Sequence, residues 1–204
     1  MSTEQQIGAK PVGFMGLLAG RLMNLIHRNQ YRSIVNEIGK NTNAPVKAVL
    51  DIGCGGGIAV KLLAGQFADA TIYGIDHAAE MVQLSMKTNR RAVNEGRVKI
   101  LQNSIDQLEL ADNSIDVATA FDTINFWPDY DVAMREIKRV LAPAGRLIIV
   151  NGYPAEGSKW YEFVTFKNDK AYEAFLNQHG FQVDQIEIQG HTIVIEASVK
   201  KILS

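Results

Sequence analysis

Val49-Leu50-Asp51-Ile52-Gly53-Cys54-Gly55-Gly56-Gly57 is a short apolar run that breaks into glycines. Its form is that of a buried strand turning into a helix. Glycines at such a turn let backbone come close to a ligand, and amides at the start of the next helix favour a negative group. The plain alternative is a tight turn that binds nothing. Alternating glycines at 53, 55 and 57, with Asp51 beside them, weigh against it.

A dinucleotide-binding turn requires Gly-x-Gly-x-x-Gly. Counted from Gly53 and Gly55, the third glycine falls at Ile58; counted from Gly55 and Gly57, it falls at Val60. Both registers fail. No Gly-Lys-Ser/Thr follows, which excludes a P-loop. Asp51 would repel a pyrophosphate and attract the ammonium of an amino acid. An NAD(P)-dependent oxidoreductase is therefore a rival reading that lacks its motif.

Working outward, the spacing predicts strands at Lys47–Ile52, Thr71–Ile75, Arg97–Leu101, Ile115–Phe121 and Arg146–Val150. Helical periodicity lies between them: Ile58 to Phe67, a second stretch carrying Met81, Leu84, Ser85 and Val93, and Asp131 to Leu141, stopped by Pro143-Ala144-Gly145. Strands alternating with helices argue for a parallel sheet covered on both faces, with ligands at the strands' C-terminal edge. A helix from Asp169 to His179 follows. Phe181–Ile188 and Thr192–Val199 are joined only by Gln189-Gly190-His191, so they form an antiparallel hairpin. Ahead of all this, Met15, Leu18, Leu22, Leu25, Ile26, Tyr31, Ile34, Val35 and Ile38 recur at helical spacing, as one long helix or two short ones.

The chain has 204 residues, 47% of them hydrophobic, enough for one α/β domain and a short appendage. With 21 Lys+Arg against 22 Asp+Glu it has no electrostatic reason to seek polyanions, and nucleic acid is not an expected partner. Cys54 is the single cysteine, so neither an intramolecular disulfide nor a metal site is expected. The polar first residues do not resemble a secretory signal. Gly13–Ile26 is too short, and too interrupted by Arg21 and Asn24, for a stable membrane span. A cytoplasmic location is expected. Asp76 closes the second strand, where an acid accepts hydrogen bonds from ribose hydroxyls; a helix N-cap is its other reading.

The glycine segment resembles the first motif of the class I S-adenosylmethionine-dependent methyltransferases. Gly74-Ile75-Asp76-His77-Ala78-Ala79-Glu80-Met81 resembles their second, Phe121–Asp129 lies where their fourth-strand motif lies, and Arg139–Leu147 looks like the segment entering their fifth strand. The likeness is best to the small-molecule branch that includes ubiquinone and menaquinone methyltransferases. It implies a Rossmann-like, mostly parallel seven-stranded sheet with one antiparallel strand, S-adenosylmethionine as cofactor and S-adenosylhomocysteine as product. It implies a helical cap or lid over 1–45 and a cofactor-binding domain over 46–204. Gly53, Gly55 and Gly57, with Cys54, would line the methionine and ribose, Asp51 the amino group and Asp76 the ribose. Asn103, Ser104 and Ile105 would sit at the adenine edge, and Phe121 and Asp122 under the methionine. Two departures stand out. Asn103 replaces the usual acid, so an amide oxygen would face the adenine amino group. His77 replaces a bulky apolar residue and either stacks on adenine or is solvated.

The implied reaction is in-line methyl transfer to an unidentified small molecule, in which positioning supplies roughly 7–11 kcal/mol of barrier reduction. Such an enzyme requires no obligatory triad, and the catalytic residues are unknown. His27 and Tyr31, four apart on one helix face, are candidates for base and orienter, against a solvated histidine. Asn125, Phe126, Trp127, Tyr153 and Trp160 are candidates for the acceptor pocket, against ordinary loop packing. Arg21, Arg28 and Arg32 would bind an acidic substrate or form a solvated stripe. The first helix is read as lid, homodimer contact or membrane-surface anchor. A cofactor-binding module without turnover remains a second class of function.

Overall fold

The computed structural model describes residues 13–41 and 44–201. The chain divides into two compact units, 1–104 and 105–204. In the first unit a long helix α1 (Gly13–Lys40) precedes β1 (Ala48–Ile52), α2 (Ile58–Gln66), β2 (Thr71–Asp76), α3 (Ala79–Thr88), α4 (Arg90–Asn94) and β3 (Val98–Gln102). The second holds β4 (Ile115–Phe121), α5 (Tyr130–Val140), β5 (Leu141–Gly152), α6 (Asp169–Gln178), β6 (Phe181–Gln189) and β7 (Thr192–Val199). The sheet has seven strands in the order β3-β2-β1-β4-β5-β7-β6.

β1 pairs parallel with β2, and β2 with β3, setting Asp51 opposite Gly74 and Asp76 opposite Gln102. β4 and β5 are parallel. β7 runs antiparallel to both β5 and β6, so it alone opposes the general direction. Apolar runs such as Val49-Leu50 and Leu147–Val150 are buried throughout, as expected of strands covered on both faces.

Helix α1 is one continuous element. Tyr31, Ile34, Val35 and Ile38 bury one stripe of its C-terminal half, which packs on α2 and α3. Leu22 and Leu25 are exposed. The side chains of Met15, Leu18, Arg21 and Ile26 lie outside the described residues, as do residues 1–12 and 42–43.

Two expected boundaries move. The helix read through Met81 and Val93 is two helices, because Asn89 leaves helical geometry (φ −109°, ψ 14°) and turns its amide back onto the Ser85 carbonyl. The fifth strand begins before Pro143, not after it. Leu141 is already extended and pairs with Ile115; pairing resumes at Val117 with Arg146. Pro143-Ala144-Gly145 is thus an irregularity inside β5, in a run where Pro cannot donate to the ladder. A Cβ on Gly145 would lie 2.8 Å from the Ile115 carbonyl oxygen, so the close approach there requires glycine.

Candidate functional site

The turn from β1 to α2 has Gly53, Gly55 and Gly57 at φ 67°, 49° and 82°, a region that side chains with a Cβ rarely adopt. Its amides are already committed. Cys54 N–H donates to the Ile75 carbonyl (2.8 Å), Gly55 N–H to Asp76 Oδ2 (2.9 Å) and Gly57 N–H to the Cys54 carbonyl (2.9 Å). These three amides, all ahead of α2, are closed to an anion, whereas the expectation of free amides concerned the start of the helix itself. A diphosphate held by turn amides would have to break those bonds.

Asp76 accepts a backbone N–H at each of its carboxylate oxygens. Oδ1 accepts from Ala78 N–H (2.9 Å), a turn two residues ahead that fixes the α3 N-cap residue. Oδ2 accepts from Gly55 and ties β2 to the glycine turn. A carboxylate has about four lone-pair sites, so acceptor capacity remains for hydroxyl donors. His77 is half exposed, with Nδ1 3.8 Å from Asp76 Oδ1.

Asp51 is buried, as is Cys54. Burial pushes the Cys54 thiol well above its ordinary value, and the charges of Asp51 and Asp76 raise it further. The charges of Asp51 and Asp76 make this turn one that suits a cationic ligand and repels a diphosphate. Gly55 and Gly57 differ in what demands them. A Cβ on Gly55 would meet nothing within 4 Å, whereas one on Gly57 would lie 2.6 Å from Asn89 Nδ2 and 2.8 Å from Ser85 Cα. Ser85 of α3 and Asn89, which caps its C-terminus, thus floor the turn: Asn89 Nδ2 donates to the Gly57 carbonyl (2.9 Å), and the Cys54 thiol reaches Ser85 Oγ at 3.7 Å. Neither was singled out from the sequence as a site residue. Polar residues at i and i+4, Ser85 on α3 and Asn89 just past its end, were the available signal.

Asn103 donates its backbone N–H to the Asp76 carbonyl (3.1 Å). Its Oδ1 is buried and has no hydrogen-bond partner among the described residues. Such an acceptor costs roughly 1–3 kcal/mol until a donor arrives, and the adenine amino group is a donor of the right kind. The open side of Gly55 and this oxygen fit the adenosyl cofactor. Ser104 is half-buried.

In the second unit, Ile105 and Phe121 are buried. Asp122 has φ 55°, a strained value for a residue with a Cβ, and its Oδ1 accepts from Gly152 N–H (2.8 Å). Asn125 Oδ1 accepts from Thr165 N–H (3.0 Å) and its Nδ2 donates to Asn151 Oδ1 (3.4 Å); Asn151 Nδ2 donates to the Tyr172 hydroxyl (2.8 Å). That chain fixes the segment after β4, and its members Asn151 and Tyr172 were not singled out from the sequence. Burial pushes the Tyr172 hydroxyl well above its usual range. Phe126 and Trp160 are exposed, while Trp127 is buried beside Tyr130, with ring centroids 6.4 Å apart. The Trp127 indole N–H lacks a hydrogen-bond partner among the described residues. Tyr153 donates its N–H to the His191 carbonyl (2.6 Å). In the first unit His27 and Tyr31 stack, centroids 5.1 Å apart at 26°, with Tyr31 in the core. Among the described residues no group of His, Cys, Asp and Glu is arranged to hold a metal ion.

Residues 50–149 match the family described as a methyltransferase domain. An O-methyltransferase of Pyrenophora dematioidea is 29% identical over a match covering 72% of this chain and 59% of that protein. A ubiquinone/menaquinone biosynthesis C-methyltransferase of Geotalea daltonii is 31% identical, covering 52% and 46%. The chain therefore spans about half the length of these curated relatives. A S-adenosylmethionine-dependent methyltransferase structure from Aquifex aeolicus superposes with a TM-score of 0.67 over 76% of this chain and 84% of that one; at 21% identity it speaks for the fold alone. With its sheet order, its glycine turn and this family match, the chain belongs to the class I methyltransferases, whose cofactor is S-adenosylmethionine.

Proposed function

We propose that this protein transfers the methyl group of S-adenosylmethionine to a small-molecule acceptor. The observation that carries the reading is the glycine turn, flanked by the buried carboxylates of Asp51 and Asp76 with Cys54, Gly55 and Gly57 amides consumed inside the chain. When bound, the cofactor supplies an electrophilic methyl group on a sulfonium.

The chain's own part is binding and alignment. Asp51 holds the amino group; Asp76 accepts from the ribose hydroxyls; Gly53, Cys54, Gly55 and Gly57 line the methionine and ribose. Asn103 accepts from the adenine amino group through Oδ1, with His77, Ser104 and Ile105 bordering the base. The family likeness assigns Phe121 and Asp122 to the methionine. Asn125, Phe126, Trp127, Tyr153 and Trp160 shape the acceptor side. The activities of the relatives, transfer to oxygen in one and to carbon in another, support a small-molecule acceptor and leave the accepting atom open. The region 1–45 serves as the cap over a domain formed by 46–204, and the buried single cysteine suits a reducing, cytoplasmic setting.

Differential scanning fluorimetry tests the reading. S-adenosylmethionine and S-adenosylhomocysteine raise the melting temperature and NADH does not. A shift with NADH alone would reject it. Release of S-adenosylhomocysteine on incubation with a metabolite extract then separates an enzyme from a binding module, which would release none.

A further inference from the structure

Helix α1 has a second apolar feature besides the stripe that enters the core. Leu22 and Leu25 are 55% and 71% exposed, three residues apart and so on one helix face. At about 100° per residue this leucine pair points away from Tyr31, Ile34, Val35 and Ile38. Arg28 and Arg32 follow Leu25 at i+3 and i+7, along the flank of the leucine face nearer Val35, and both are exposed. No hydrogen bond or ion pair engages either arginine among the described residues. The surrounding sequence is one-sided in charge: between Glu4 and Glu37 stand Lys10, Arg21, Arg28 and Arg32 and no acid, in a chain whose net charge is −1.

These features discriminate between occupants. A second copy laid on this face would set arginines against arginines, with no carboxylate in the segment to offset them. An anionic lipid surface satisfies both components: leucines enter the boundary between headgroups and acyl chains, and guanidinium groups meet phosphates. No helix among the described residues is long and apolar enough to cross a membrane, so α1 would lie on the surface. We propose that the outward face of α1, built from Leu22, Leu25, Arg28 and Arg32, docks this protein onto the surface of an anionic bilayer.

Flotation of the full-length chain with vesicles tests this independently of methyl transfer. The chain floats with phosphatidylcholine–phosphatidylglycerol vesicles and not with phosphatidylcholine alone, and added salt weakens the binding. The double variant Leu22→Asp, Leu25→Asp remains in the lower fraction, with its circular dichroism and melting temperature unchanged because both side chains are exposed. Arg28→Ser with Arg32→Ser lowers partitioning roughly 25-fold, at about 1 kcal/mol per arginine near an anionic surface. Failure to float with the anionic vesicles overturns the proposal. So does flotation that neither double variant changes. A dimer in sedimentation velocity that Leu22→Asp, Leu25→Asp dissociates, without vesicle binding, also overturns it and assigns the face to a second copy.

Discussion

At the scale of single residues, Gly55 and Gly57 look alike in sequence and answer to different demands. Gly57 at φ 82° is pressed against Ser85 and Asn89, while Gly55 at φ 49° faces open space. Gly57→Ala should destabilise the fold by roughly 2–5 kcal/mol, summing left-handed strain and overpacking. Gly55→Ala should cost only about 1–2 kcal/mol and instead lower affinity for the adenosyl cofactor. Urea unfolding and isothermal titration would distinguish them; equal stability losses would contradict the assignment. Asp76→Asn keeps the shape but brings an amide N–H group to one of two backbone donors. Cofactor binding should weaken roughly tenfold to a hundredfold, the worth of a charge-assisted hydrogen bond, read by the same titration.

Cys54 gives a pH dependence. Its folded thiol value lies above the ordinary 9.0 because the group is buried beside two carboxylates. The associated stability is complete below the unfolded thiol value and is lost as pH rises towards the folded one. Cys54→Ala should flatten that alkaline decline in melting temperature, and the native thiol should resist alkylation until the protein unfolds. The motif residues were legible because they are local: glycine spacing, a strand-terminal acid, an amide at 103. Ser85, Asn89, Asn151 and Tyr172 were not singled out because their roles arise from contacts across distant sequence. In the sequence they read as ordinary helix and strand positions.

Among the elements, α5 shows how one side chain secures a connection. Arg139 donates to the Leu108 and Leu110 carbonyls (2.8 Å each) and pairs with Asp112 and Glu136. Glu136 in turn accepts from Leu108 N–H (2.8 Å). The hydrogen bond from Arg139 is the main cause holding the Glu136 carboxyl below its ordinary 4.5. The stability this gives is present above that unfolded value and is lost as pH falls through the folded one. Arg139→Met should therefore cost roughly 2–3 kcal/mol at neutral pH and shrink the acid-side decline. Chemical denaturation at pH 7 and at pH 4 would show both. Most helices and strands were readable from periodicity because long amphipathic stretches dominate local preference. The break at Asn89 and the early start of β5 were not, since one depends on a side chain returning to its own helix and the other on strand pairing with Ile115.

For the whole molecule, a ligand that binds only the folded state adds RT ln(1+[L]/Kd), about 2.7 kcal/mol at a hundredfold excess. For a chain of this size that corresponds to a rise of roughly 5–11 °C in melting temperature. S-adenosylhomocysteine at such an excess should produce it, and a rise under about 1 °C, well below that range, would contradict specific binding. The sheet was legible as parallel strands closed by a hairpin. The lateral order was not legible, because adjacency of strands far apart in the chain leaves no local trace.

That order has a consequence for biogenesis. β7 follows β6 in the chain yet stands between it and β5. On the ribosome, β5 and β6 emerge with their common neighbour still missing, and β5 carries a row of unsatisfied main-chain groups until Thr192–Val199 arrives. Vectorial synthesis thus holds open a window in which the nascent protein is a target for chaperones or for mispairing with another chain.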